Sequence, residues 1–102
     1  MLSIFPNDPS ALNSYAWRMA EIEINLEDAL RKAQEAVVLT ADDPDRQAGI
    51  IDTEAEVLWK MKRFEEAIEV IERAITIDPE NQYYLDQKEK FLESKKADYQ
   101  ST

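Results

Sequence analysis

The chain has no histidine, no cysteine and one glycine in 102 residues. Without histidine and cysteine there is no His-based acid–base pair, no Ser/His or Cys/His nucleophile, no ordinary zinc site and no disulfide. A lone glycine excludes the glycine-rich loops that cradle phosphates. Basic residues are also scarce: 12 Lys and Arg stand against 22 Asp and Glu, a formal charge of −10, which repels nucleic acid. No apolar run approaches the roughly 18 residues of a membrane span. The opening residues 1–6 lack the basic flank and length of a secretory signal, so cytoplasmic is the default expectation. What is present, 44% hydrophobic and 33% charged residues, suits one small folded domain. Two classes remain: an acidic binding module, or an enzyme that works with carboxylates alone.

The same scarcity of glycine bears on fold. Hairpins favour Asn-Gly or Asp-Gly turns, and neither pair occurs. Ala, Glu, Leu, Lys and Arg, all good helix formers, dominate instead. The chain therefore reads as all-α, with about five helices. Asn7-Asp8-Pro9 and Asp43-Pro44 each offer a cap followed by proline at the first helical position. Asn25 with Asp28 reads as an acidic capping box. These signals predict helices over 9–20, 26–40, 44–61, 64–77 and 81–95, with Lys62-Arg63 as a turn and 98–102 as a frayed tail.

A repeat underlies the pattern. Leu26-Glu27-Asp28-Ala29-Leu30 matches Phe64-Glu65-Glu66-Ala67-Ile68 at an offset of 38, and Ala16 and Met19 match Ala55 and Leu58 at 39. Such periods mean stacked helical pairs that bury one another's apolar faces. Ala55 and Ala67, one on each helix of a pair, would let two backbones approach closely. Ile68, Ile71 and Ile75 extend the core stripe, and Phe64 covers the end of the pair. In the last helix Tyr84, Leu85, Phe91 and Leu92 are expected to face helix four, while Glu89 stands where the repeats carry alanine. That helix reads as a solvating cap. The N-terminal Leu2, Ile4 and Phe5, or a homodimer, would complete the core.

Ala55, Phe64, Ala67, Ala74 and Pro79 resemble the tetratricopeptide repeat (TPR) pattern, with steps of 12, 7 and 5 between Ala55, Ala67, Ala74 and Pro79. An earlier set, Ala16, Ala29 and Ala36, is similar but has one extra residue in its inner turn, and Ala41 where proline is expected. The resemblance implies a right-handed α-solenoid of antiparallel helix pairs: an extension at 1–8, repeats at 9–41 and 43–79, and a capping helix at 81–97. It also implies a non-catalytic protein-binding role. Asn13-Ser14-Tyr15-Ala16-Trp17 and Asp52-Thr53-Glu54-Ala55 look like a bacterial subset of such repeats, some of which form tails of thioredoxin-fold proteins.

In a solenoid of this kind the first helix of each pair lines a concave side. One position round from the core stripe lie Asn13 and Trp17, then Asp52, Glu56 and Trp59, then Tyr83, Asp86 and Lys90. This acidic groove with an aromatic floor suits a peptide or helix carrying Lys or Arg plus an apolar anchor. A cation over tryptophan adds roughly 0.5–2 kcal/mol. Some TPR proteins hold acidic chaperone tails in clamps of Lys, Arg and Asn. Asp52, Glu56 and Asp86 stand where such a clamp needs basic or amide groups, so that ligand is not expected. The plainer alternatives are that the tryptophans pack internally, that Asp52 and Glu56 form a solvated face, and that Asn13 and Asp52 bond between helices.

Two rival chemistries exist. The stretch from Asp43 to Glu54 places oxygen donors at the first, third, fifth and twelfth positions of an EF-hand-like calcium loop. Its sixth position is Ala48 rather than glycine, and Pro44 starts a helix. A glycosidase-like carboxylate pair is always available among 22 acids, so it carries little weight. No cofactor is expected.

Overall fold

The computed structural model describes residues 8–100, with side chains to Asp98. Among them are five helices and no strand: α1 (Pro9–Ile22), α2 (Leu26–Leu39), α3 (Pro44–Lys60), α4 (Phe64–Ile77) and α5 (Gln82–Gln100). Leu2, Ile4 and Phe5, expected to help close the core, lie outside the described residues.

Caps explain most helix starts. Asp8 accepts from the Ser10 amide at 3.0 Å, and Asp43 from the Arg46 amide at 3.4 Å, each ahead of a proline. Asn81 caps α5 by accepting from the Tyr83 amide at 2.9 Å. Asn25 differs from the expected capping box. It adopts a left-handed backbone (φ 52°) and makes no side-chain cap bond. Asp28 instead accepts from the Tyr15 hydroxyl at 2.7 Å and from Arg31 at 2.8 Å, and the Tyr15 bond holds its carboxyl below the usual range. α1 runs two residues past the expected end because no glycine marks its terminus. Glu23 takes the left-handed position (φ 58°) that glycine ordinarily fills. α5 likewise continues through 98–100, where fraying was expected.

The α3–α4 turn closes with two bonds, Lys62 N–H to Trp59 C=O and Arg63 N–H to Leu58 C=O, both at 2.9 Å. This is a Schellman arrangement with a non-glycine residue, Lys62, at φ 64°. The left-handed conformation strains a Cβ-bearing residue. Lys62→Gly is therefore expected to stabilise the chain by about 0.5–1 kcal/mol in urea denaturation. Equal or lower stability would contradict that reading of the turn.

Helices pack α1 on α2 and α3 on α4 as pairs, with α2 on α3, α4 on α5 and α1 on α3 joining them. The result is a slab of 48 × 31 × 16 Å, an all-α helical-repeat solenoid. The recurring alanines sit at the crossings: Ala16, Ala20, Ala29, Ala33, Ala36, Ala55, Ala67 and Ala74 are all fully buried. Ile71 is buried beside them, while Ile68 and Ile75 pack at the core's edge and Phe64 is half-buried.

The capping helix differs from expectation. Its buried residues are Tyr84, Gln87 and Phe91, while Leu85 and Leu92 stay 37% and 44% exposed. Spacing decides this: 84, 87 and 91 fall on one face at i, i+3 and i+7, and 85 and 92 lie one position further round. Glu89 is exposed. α3 is the centre of the molecule. Its residues 50–58 are buried without a break, including Asp52, Thr53, Glu54 and Glu56.

Candidate functional site

A helix buried on all sides needs partners for its polar groups. Glu54 accepts from Gln34 Nε2 of α2 at 3.3 Å, and burial raises its carboxyl above the usual range. On the other side, Gln87 Nε2 of α5 donates to both Asp52 Oδ1 and Glu56 Oε1 at 3.0 Å. Lys90 Nζ lies 3.1 Å from Glu56 Oε1 and 4.0 Å from the centre of the Trp59 ring. The Trp59 indole N–H donates to Ser94 Oγ at 2.8 Å, and its ring sits 6.1 Å from that of Phe91. These bonds tie the capping helix to α3.

The predicted groove is thereby divided. Asn13 and Trp17 of α1, Asp52 of α3 and Tyr83 of α5 line one open cavity of about 540 Å³, with Ser14, Arg18, Glu21 and Thr53. Glu56, Trp59 and Lys90, placed in the same groove by the sequence reading, do not line this cavity. They bond across the α3–α5 contact instead, with Trp59 and Lys90 still partly exposed. Asp86 lies outside the cavity, exposed and accepting from Gln82 at 2.9 Å. Asp52 and Glu56 are not a solvated face: both are buried.

The cavity carries charge from Asp52, Glu21 and Arg18, the last two on exposed positions of α1. Burial pushes Asp52 up to about 6, with the Gln87 bond opposing and the Glu56 charge reinforcing. Burial of the Tyr83 ring, with the negative charges of Asp52 and Glu56, raises its hydroxyl to about 12. Asn13 adds an acceptor, for its Oδ1 is buried without a hydrogen-bond donor. Such a wall of acceptors and aromatic rings can bind donors and cations.

Asp52 also makes a stability prediction. Its folded value near 6 lies above the ordinary 3.8, so the folded chain holds this proton more tightly than the unfolded one. Its favourable contribution is complete below pH 4, falls between pH 4 and 6, and is gone above that. The difference is about 2–3 kcal/mol. Asp52→Asn keeps an oxygen for Gln87 to donate to and removes the charge. It is expected to raise Tm at pH 7.5 by roughly 10 °C and to flatten the pH dependence between 4 and 7. An unchanged Tm would contradict the burial of a charged Asp52.

The rival chemistries fare differently from the groove. Residues 44–54 lie within one continuous helix, α3, so the rival calcium-loop reading has no loop to wrap an ion. Between Asp52 and Glu56 stands Gln87 Nε2, bonded to both, so this carboxylate pair has no room for a substrate atom between its members. Among the described residues no helix is long and apolar enough to cross a membrane.

Sequence reasoning missed Gln87, Ser94, Thr53, Arg18 and Glu21. Only the spacing of Tyr84, Gln87, Phe91 and Ser94 along one face of α5 pointed to the first two, and their polarity hid it. A tetratricopeptide repeat family model matches residues 53–81, covering the C-terminal half of α3, all of α4 and the turn after it. No curated protein and no solved structure gives a match. That match, set in an all-helical architecture of stacked pairs, supports a TPR-type repeat over residues 53–81 of this chain.

Proposed function

We propose that the chain is a non-catalytic interaction module that receives a peptide or helix of a partner protein in the cavity between α1, α3 and the start of α5. A tetratricopeptide repeat is characteristic of protein–protein interaction modules, and that class of partner is the starting point. One observation carries the finer reading. Asn13, Trp17, Asp52 and Tyr83 come from three different helices and still converge on one open hollow of about 540 Å³. Such a hollow, polar at its base and aromatic at its walls, suits an anchoring side chain with flanking main chain. The partner this favours carries basic and apolar residues together. Glu56, Trp59 and Lys90 contribute by holding α5, and with it Tyr83, against α3.

Charge reversal at Asp52 and Glu56 is a poor test, because a lysine at 56 would face Lys90 and free the capping helix. Trp17 is half-buried, and replacing it leaves that contact alone. The test selects peptides from a random library on the full chain and measures their affinity by calorimetry. Trp17→Ala is expected to weaken them roughly thirty-fold, or about 2 kcal/mol, while Val38→Glu on the outer surface changes nothing. Peptides that ignore Trp17 and are lost with Val38→Glu would place the docking face elsewhere.

A second reading has its own observation. Leu85 and Leu92 lie exposed on one side of α5, where a further helix would pack in a longer array. A homodimer in light scattering, split by Leu92→Glu, would support assembly through α5. A monomer at all concentrations would remove it.

A further inference from the structure

The molecule already displays what a tryptophan ring beside a buried carboxylate binds on this face. At the α3–α5 end, Lys90 Nζ lies over Trp59 at 4.0 Å and meets Glu56 Oε1 at 3.1 Å. That site is filled from within. At the α1–α3 end, the cavity again combines a tryptophan, Trp17, with a carboxylate, Asp52, which is 5% exposed. It adds the Tyr83 ring and the Asn13 amide, whose Oδ1 lacks a donor.

Here Asp52 accepts from the Gln87 amide and is hydrogen-bonded by Tyr83, and the positive charge acting on it is that of Lys90, which is held on Glu56. The exposed rim residues Arg18 and Glu21 offset each other in charge. Asp52 therefore sets the sign of the cavity. Asp52 offers a carboxylate and Asn13 an unpaired amide oxygen to an incoming donor, and the aromatic rings of Trp17 and Tyr83 attract cations.

Building on the docking proposed above, we infer that this cavity takes a single cationic side chain of the partner, a lysine ammonium or an arginine guanidinium. The cation lies against Trp17 and Tyr83 and donates to the Asp52 carboxylate, with Asn13 Oδ1 as second acceptor after rotation of its amide. It does at this end what Lys90 does at the other. An acidic anchor would be repelled by the Asp52 charge, and a purely apolar one would leave Asn13 Oδ1 without a donor.

The experiment titrates the isotope-labelled full chain with short blocked alanine peptides carrying one central Arg, Lys, citrulline or Glu, and follows the Trp17 indole N–H by NMR. Citrulline matches arginine in shape and lacks its charge. Saturable shifts are expected with Arg and Lys, about ten-fold weaker with citrulline, and none with Glu. Asp52→Asn, which keeps the fold, is expected to abolish the preference for Arg over citrulline. Stronger binding of Arg than Lys would assign the two-acceptor arrangement; equal binding would assign a point charge over the rings. Equal response to Arg and citrulline, or an Asp52→Asn protein that still prefers Arg, overturns the inference. It would leave the groove itself standing if library-selected peptides still depend on Trp17. Absence of any shift with all four peptides also overturns it.

Discussion

Ala67→Glu is expected to abolish cooperative unfolding of the chain at 25 °C. Ala67 is fully buried on α4 where that helix crosses α3, and Ala55, also fully buried, lies in the same core cluster. Packing there has native density, so any larger side chain must move a helix. Overpacking alone costs about 1–3 kcal/mol. A glutamate adds the desolvation of a charge, or of a neutral carboxyl without a partner, at several kcal/mol more. Small domains have about 5–15 kcal/mol in all, and this one is 102 residues long. Ala67→Leu, which adds bulk without charge, should fold with a lowered Tm. Thermal melts by circular dichroism separate the two. A sharp transition near the wild-type Tm for Ala67→Glu would mean that α3 and α4 do not cross at this residue.

Phe91→Ala is expected to cost about 3–4 kcal/mol and to release the capping helix before the rest. Phe91 of α5 is the largest fully buried side chain among the described residues and belongs to the core cluster. Its loss opens a cavity beside Trp59, whose ring lies 6.1 Å away. With α5 loosened, the Gln87 bonds to Asp52 and Glu56 and the Trp59–Ser94 bond are expected to fail together. Two buried carboxylates would then face water. The readout is residue-specific: amide exchange in α5 accelerates, the Trp59 indole resonance shifts, and the Trp17 resonance stays near its place. Because Tyr83 belongs to α5, selected peptides should also bind less well. Uniform destabilisation, with α5 exchanging no faster than α3, would contradict the view of α5 as a cap latched by side chains.

The legible part of the fold was that written in steric and capping rules. Prolines 9 and 44 behind aspartate marked two helix starts, and alanines at fixed spacing marked the crossings. The helix end at Ile22 was harder to read, because Glu23 occupies a left-handed position where glycine would have announced it. The capping helix was harder still. Leu85 and Leu92 were assigned inward on their chemistry, while the helix buries Gln87 in their stead. A glutamine belongs there because α3 presents Asp52 and Glu56 to it. An interface whose two sides are both polar looks like two surfaces in sequence, and only their register against each other shows otherwise.

The candidate site followed the same division. Asn13, Trp17, Asp52 and Tyr83 were picked out by one rule, a position next to the core stripe on alternate helices, and they line one cavity. The rule also picked Glu56 and Trp59 of α3 and Lys90 of α5, which bond to one another or to Ser94 across the α3–α5 contact. Periodicity reports which side of a helix a residue occupies. It does not report whether a later helix folds across that side.

The most direct measurement is a map of peptide-induced chemical-shift changes over the full chain, using a peptide selected on it. The account predicts that the largest changes fall at the Trp17 indole and at the amides of Asn13, Thr53 and Tyr83, which border the cavity. Changes centred on Val38, Leu85 and Leu92, with Trp17 and Thr53 unmoved, would put the partner on the outer surface and contradict it.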